Sequence, residues 1–273
     1  ADRLRRKSLE NKRKDLELSE AREFQLRMIA KKIPDYEGMD IKAFMRTSTE
    51  VGGDYYDFFE LEDGSFYAVC GDATGHGSQS GMMVSITKAG LAGIESTSPD
   101  DILNRLNKVV RRVDTGRLRM SLSVCIFKNE KLYISAAAMP PAYLYSAETQ
   151  SVDEIEIRNL PLGGLDNEQF ELVEKSFNKG DILVLLSDGL PEAPDLEGNL
   201  LDYQPVMDCI EKVAHLGAAQ VKQSLIDLAD DWLDGSQNPD DITFVVFEKQ
   251  PDGDLKAQKK LEEKKNIKKV AQA

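Results

Sequence analysis

Hydrophobic and polar positions follow two rhythms through the middle of this chain. Tyr55 to Leu61 and Phe66 to Cys70 are apolar-rich segments separated by a Glu-Asp-Gly-Ser turn around Gly64, which predicts a hairpin. From Ser80 to Ile94 the period becomes helical, with Met82, Met83, Ile86, Ala89 and Leu91 apolar. Ser98-Pro99-Asp100-Asp101 predicts a helix start, with a Ser cap, Pro at the first position and acids in the first turn. That helix continues through Ile102, Leu103, Leu106, Val109 and Val110. Short β-rich runs follow at Ser121 to Phe127, Lys131 to Ala137, Ala142 to Tyr145, Val152 to Ile157 and Phe170 to Phe177. Asp181 to Leu186 is continuously apolar after its first residue, as a strand buried on both faces would be. Helical stretches are expected at Val206 to Leu216 and Ala218 to Leu233, and a last strand at Ile242 to Phe247. Segregated runs of strands and helices predict an α+β fold with helices covering sheets, rather than alternating βαβ units.

The two ends are of another kind. Residues 1–32 carry a net charge of +5 and residues 254–273 a net charge of +4, and both lack Gly and Pro. Their Lys, Glu, Arg, Leu and Gln content is that of helices. Phe24, Gln25, Met28 and Ile29 continue an apolar-leaning stripe from Glu17 and Ala21. The expected organisation is therefore a linker or regulatory helix over 1–32, one domain over 33–250 and a charged tail over 251–273. The first helix either docks on the domain or joins it to an upstream module or a second copy. A chain that opens on Ala1 fits a piece of a longer protein.

Charge and composition narrow the chemistry. The chain of 273 residues has a net charge of −13, and the basic ends leave −22 for residues 33–253. Such a body disfavours nucleic acid as a partner. With 41% hydrophobic and 30% charged residues and no apolar run of membrane-spanning length, a soluble globular chain is expected. Cys70, Cys125 and Cys209 are far apart and form no CxxC, so neither a disulfide framework nor a zinc knuckle is indicated. His76 and His215 are the two histidines, too few for a histidine-built metal site. Any metal chemistry must run on carboxylates, which favours hard ions such as Mg²⁺ or Mn²⁺.

Acidic residues recur where a strand meets a turn. Asp54 lies in Gly52-Gly53-Asp54-Tyr55-Tyr56-Asp57, and Asp72 in Gly71-Asp72-Ala73-Thr74-Gly75-His76-Gly77. Asp188 lies in Leu186-Ser187-Asp188-Gly189, and Asp240 and Asp241 in Asn238-Pro239-Asp240-Asp241-Ile242-Thr243. Each motif alone is ordinary turn chemistry. The glycine-rich one is not a P-loop, since no Gly-Lys-Ser/Thr follows. Gathered at one sheet edge, however, these carboxylates would repel one another unless cations lay between them. A pair of ions held in this way can activate water and clamp a phosphoryl oxygen.

In order and spacing these motifs resemble those of the metal-dependent protein phosphatases, the PPM family, in the bacterial branch typified by SpoIIE and RsbU. Asn159-Leu160-Pro161-Leu162-Gly163-Gly164-Leu165 resembles a further shared segment, and the likeness spans roughly residues 17–248. The resemblance implies an αββα sandwich, two antiparallel sheets flanked by helices, preceded by a linker helix. It implies two ions, Mn²⁺ or Mg²⁺, held by Asp54, Asp72, the Ala73 carbonyl, Asp188 and Asp240, with Asp241 ranked below Asp240. It further implies hydrolysis of phosphoserine or phosphothreonine by metal-bound hydroxide. The substrate would be a regulatory phosphoprotein such as an anti-sigma factor antagonist. A homodimer through the N-terminal helix, an upstream sensor and a cytoplasmic location belong to the same expectation. The branch commonly carries Ala-Gly-His-x-Pro where this chain reads Ala137-Ala138-Met139-Pro140-Pro141. That departure favours one alternative, a phosphatase-fold module that binds a phosphoprotein with weak or no turnover. A nucleotide cyclase or another Mg²⁺ phosphoryl-transfer enzyme also carries Gly-Gly-Asp, but the later Ser-Asp-Gly and Asp-Asp-Ile-Thr segments argue against it. His76 is expected to shape its loop, His215 to be structural, and Cys70, Cys125, Met82 and Met83 to be core.

Overall fold

The computed structural model describes residues 28–30, 32–48, 52–61, 66–75 and 77–250, with 13, 19 and 23 as isolated positions. The expected N-terminal helix, the Gly64 turn, His76 and the charged tail lie outside the described residues, apart from those few positions near the N-terminus. Among the described residues, ten strands form two five-stranded sheets. One sheet holds, in spatial order, β1 (Met39–Arg46), β10 (Ile242–Lys249), β9 (Ile182–Leu186), β6 (Ala142–Ser146) and β7 (Ser151–Ile155). The other holds β2 (Asp54–Glu60), β3 (Phe66–Ala73), β4 (Met120–Lys128), β5 (Lys131–Ala137) and β8 (Val173–Ser176). Neighbours in both sheets run antiparallel. Helices α1 (Ser78–Ala92) and α2 (Pro99–Val113) cover the β2–β8 sheet, while α3 (Tyr203–Val213) and α4 (Ala218–Leu233) cover the β1–β7 sheet. The order of layers is helix, sheet, sheet, helix.

The continuous apolar runs follow from this layering. In β9, Leu183 and Leu185 enter the core between the sheets, while Ile182, Val184 and Leu186 face α3 and α4. β10 divides in the same way, with Val245 and Phe247 inside and Phe244 and Val246 toward the helices. In β3, Ala68 and Cys70 point inward and Tyr67 and Val69 toward α1 and α2. Successive residues of a strand point to opposite faces, so a strand covered on both sides is apolar at most positions. Each fully buried Leu, Val or Phe contributes about 1.5–3 kcal/mol.

Several sequence expectations are met and others shift. The expected hairpin is the β2–β3 pair, registered from Asp54 opposite Asp72 to Glu60 opposite Phe66. Ser98 is the N-cap of α2, but its side chain makes no capping bond to the helix backbone. Met83 is fully buried, whereas Met82 is 62% exposed, contrary to the expectation that both are core. Helix α1 buries Met83 and Val84 side by side, and Met82, about 100° further round, falls outside that buried stripe. Cys70 and Cys125 are buried in the intersheet core, and His215 is exposed in a short 3-10 turn after α3. Strand β1 was not anticipated, although Met39, Ile41 and Ala43 alternate inward. Its outward Asp40 and Lys42 are polar, which obscured the run between Tyr36 and Arg46.

Candidate metal centre

The sandwich has two chemically distinct ends. At one end β2 begins, β3 finishes, β9 finishes and β10 begins. Asp54 opens β2 and is paired in register with Asp72 near the end of β3. Asp188 lies two residues past β9, and Asp240 lies two residues before β10. The structure therefore collects the four aspartates at one mouth, two from each sheet.

The glycines of the motifs are there because of close approach. A Cβ on Gly53 would lie 2.6 Å from the Ala73 carbonyl oxygen and 2.7 Å from Asp72 Oδ1. A Cβ on Gly52 would lie 2.1 Å from Asp241 Oδ2, and one on Gly189 would lie 1.7 Å from the Asp241 carbonyl oxygen. Only a residue without a side chain lets these turns close over the aspartates. The Ala73 N–H also donates to the Gly53 carbonyl at 3.0 Å, tying the two motifs along their backbones.

Asp241 has partners of a different kind. Its Oδ1 accepts from the Ser48 N–H at 2.7 Å and the Ser48 hydroxyl at 3.2 Å. Its Oδ2 accepts from the Gly53 N–H at 2.8 Å and the Asp54 N–H at 3.3 Å. One oxygen is thus spent on Ser48 and the other on the backbone that carries Asp54, and Asp241 is buried. Asp240 beside it is exposed and accepts from the Asp241 N–H at 2.8 Å. The tandem pair splits because adjacent residues entering a strand point opposite ways.

Three side chains that the sequence reading left without roles complete the frame. The Ser187 hydroxyl donates to Asp54 Oδ2 at 2.8 Å, and accepts from the Thr243 N–H at 3.1 Å. Asn238, buried, donates through Nδ2 to the carbonyls of Gly189 and Asp240, both at 2.9 Å. The Ser80 hydroxyl reaches the carbonyls of Gly52 at 3.2 Å and Gly77 at 2.8 Å. Each sits in or beside a motif whose aspartate drew attention first: Ser187 just past β9, Asn238 in the turn before β10 and Ser80 in the first turn of α1.

The carboxylates act on one another. Burial, then the charge of Asp72 and to a lesser degree that of Asp241, hold Asp54 well above the usual carboxylate range. Burial, then Asp188, Asp240 and Asp241, push Asp72 up to about 8. Burial, then Asp240 and Glu192, push Asp188 up to about 6. Mutual destabilisation of this kind disappears when positive charge enters the group.

The donor set is of the kind that suits hard divalent cations. Every available atom is oxygen, from carboxylates and the Ala73 carbonyl, and the carboxyl groups are close enough to shift one another's protonation. Asn238 Oδ1 is buried at the same end without a hydrogen-bond partner among the described residues. Among those residues, no three His, Cys, Asp or Glu side chains are drawn together at ligand spacing.

Comparison with known proteins gives the wider setting. Residues 62–250 match the family model described as Stage II sporulation protein E. The chain is 24% identical over 238 residues to the phosphoserine phosphatase RsbU of Bacillus subtilis, covering 86% of this chain and 70% of that protein. Its structure resembles the SiaA-PP2C domain of Pseudomonas aeruginosa, with a TM-score of 0.74 and 19% identity, over 87% of this chain and 98% of that one. It also resembles RsbX in complex with magnesium, with a TM-score of 0.59 and 15% identity, over 80% of this chain and 98% of that one.

Proposed function

The chain belongs to the SpoIIE family, the SpoIIE/RsbU branch of the PPM serine phosphatases, and we propose that it removes phosphate from a phosphoserine or phosphothreonine of a regulatory protein. The observation that carries this is the meeting, at one mouth of the sandwich, of Asp54 and Asp72 from one sheet with Asp188 and Asp240 from the other. In this reading Asp54, Asp72, the Ala73 carbonyl, Asp188 and Asp240 hold two Mn²⁺ or Mg²⁺ ions. When bound, the ions lower the pKa of a water and neutralise the phosphoryl dianion. Asp241 ranks as a positioning residue, since its oxygens tie Ser48 to the Gly53–Asp54 backbone. Ser187 orients Asp54 across the two sheets. Asn238 holds the backbone of the Asp188 and Asp240 turns together. No cysteine stands at this mouth as a nucleophile, for Cys70 and Cys125 are fully buried, and burial pushes both thiols up.

By the same reading the substrate is an anti-sigma factor antagonist, or a protein like it. Residues 1–32 act as a linker that joins the domain to a sensor and pairs it as a homodimer in the cytoplasm. No helix among the described residues is long and apolar enough to cross a membrane.

Assay of a phosphoserine peptide and of p-nitrophenyl phosphate with Mn²⁺ or Mg²⁺ tests the activity. We expect turnover that chelator abolishes, and a loss of about three orders of magnitude in Asp72→Asn and Asp188→Asn with circular dichroism unchanged. Turnover that persists in excess chelator, or normal rates in either variant, would refute it.

A further inference from the structure

Residues 33–253 contain seven arginines, and four of them, Arg111, Arg112, Arg117 and Arg119, fall within nine positions. They form a basic island at the end of α2 and in the turn into β4, on a segment of net charge −22. The island adjoins the candidate metal centre. The Arg119 N–H donates to Thr74 Oγ1 at 2.8 Å, and the Thr74 N–H donates to the Arg119 carbonyl at 3.0 Å. Thr74 is two residues past Asp72, so Arg119 lies about one strand spacing, 4.8 Å, to the side of the metal-centre loop.

The four arginines divide by role. Arg111 is internal bracing. Its Nη1 donates to the Gly164 carbonyl at 2.8 Å, and its Nε pairs with Asp166. Together with Asn107, which binds the Gly163 N–H and the Leu165 carbonyl at 2.8 Å each, it clips the 159–166 segment to α2. Arg119 is anchored through Nη1 to the carbonyls of Gly116 at 2.8 Å and Leu118 at 2.7 Å. Arg112 and Arg117 are exposed, and neither is in an ion pair among the described residues. Beside them Val113 is 51% exposed and Leu165, held by Asn107, is 56% exposed.

We propose that Arg112, Arg117 and Arg119, with Val113 and Leu165, form the docking surface for the protein substrate and select phosphoproteins with acidic residues flanking the phosphoserine. The inference rests on the phosphatase reading. Elsewhere the negative body repels an acidic phosphoprotein, so a cationic strip beside the mouth both attracts such a substrate and sets its orientation. Exposed guanidinium groups pair readily with carboxylates, and adjacent apolar side chains add contact area that water would otherwise cover.

The test uses three fluorescent phosphoserine peptides, flanked by Glu, by Ala or by Lys, with wild-type protein and the Arg112→Glu/Arg117→Glu variant. For the Glu-flanked peptide we expect KM to rise about tenfold in the variant, with the effect shrinking in 0.5 M salt. The Ala-flanked peptide and p-nitrophenyl phosphate should change less than about twofold. An equal effect on all three peptides, or none on the Glu-flanked one, overturns the proposal. Anisotropy with the same peptides separates docking from chemistry. If wild-type protein hydrolyses nothing, the phosphatase reading fails. Charge-selective binding lost in the variant would still support the docking surface, and charge-blind binding would overturn it. Should the double variant unfold, Arg117→Gln with the same readouts replaces it.

Discussion

Replacing Asp241 with Ala tests the idea that this residue is a positioning group, because it removes the acceptor for three backbone amides at once. Gly53 and Asp54 are buried, so their N–H groups would lose a partner without gaining water. Each such orphan costs about 1–3 kcal/mol. Ser48 is half-exposed, and its N–H can turn to solvent at little cost. The expected loss is therefore about 3–4 kcal/mol, a large share of the roughly 5–15 kcal/mol that holds a typical domain. With a urea m-value of about 2–3 kcal/mol/M, the midpoint should fall by about 1–2 M at unchanged slope. Asp241→Asn keeps one acceptor oxygen and should lose about 1 kcal/mol. Because the released turn carries Asp54, both variants should also need more Mn²⁺ for half-maximal turnover, with the larger shift in Ala. Urea unfolding followed by tryptophan fluorescence and circular dichroism checks the first part, and metal titration the second. A loss below 1 kcal/mol in Asp241→Ala, at unchanged m-value, would refute the reasoning.

Other expectations follow from the same geometry. Gly189→Ala places a Cβ against the Asp241 carbonyl at 1.7 Å, a backbone clash that no rotamer relieves; it should lose at least about 3 kcal/mol by urea unfolding. The folded protein holds protons on Asp72 and Asp188 that an unfolded chain releases near pH 3.8, the two being raised to about 8 and about 6. The native state therefore binds more protons across that window, and in chelator the melting temperature should fall as pH rises from 5 to 8. Mn²⁺ should flatten this slope, and a chelated protein whose melting temperature rises over that range would contradict the argument. Lys88 Nζ donates to Asp57 Oδ2 and to the Met28 carbonyl, both at 2.7 Å. Lys88→Met should cost about 2 kcal/mol, leaving Asp57 with the Tyr55 hydroxyl and the Phe58 N–H, and should speed tryptic cutting at Lys32.

The sheets and helices were largely legible because the domain has two covered sheets. Strand β9 announces itself as an unbroken apolar run and β10 as a β-branched and aromatic one, and α4 was read to its residue limits. β1 escaped because one-residue alternation across Met39, Ile41 and Ala43 looks like ordinary polar sequence unless a partner strand is known. Asp54, Asp72, Asp188 and Asp240 were singled out by motif, and strand register places them at one end of the sandwich. The part taken by Asp241 could not be read from the chain. Its amide partners at Ser48 and Gly53 lie about 190 residues away, and only the register of β10 against β1 and the approach of β2 to β10 make them neighbours. Ser187 and Asn238 were hidden for the same reason. Their polar atoms answer long-range contacts, and a turn-like local sequence shows only that some partner must exist.

The four aspartates are divided evenly between two layers that share no ladder hydrogen bonds. With the proposed ligands, the ions would rivet one sheet to the other at a single edge, beside the Ser187 and Asp241 stitches. A rivet of this kind reads alignment. If one layer slid over the other by an ångström, every bond inside each layer would survive while the oxygen cage lost its fit. The mouth thus behaves as a vernier for the stacking of the whole sandwich, and any force that shears the layers would reach the chemistry without touching a ligand.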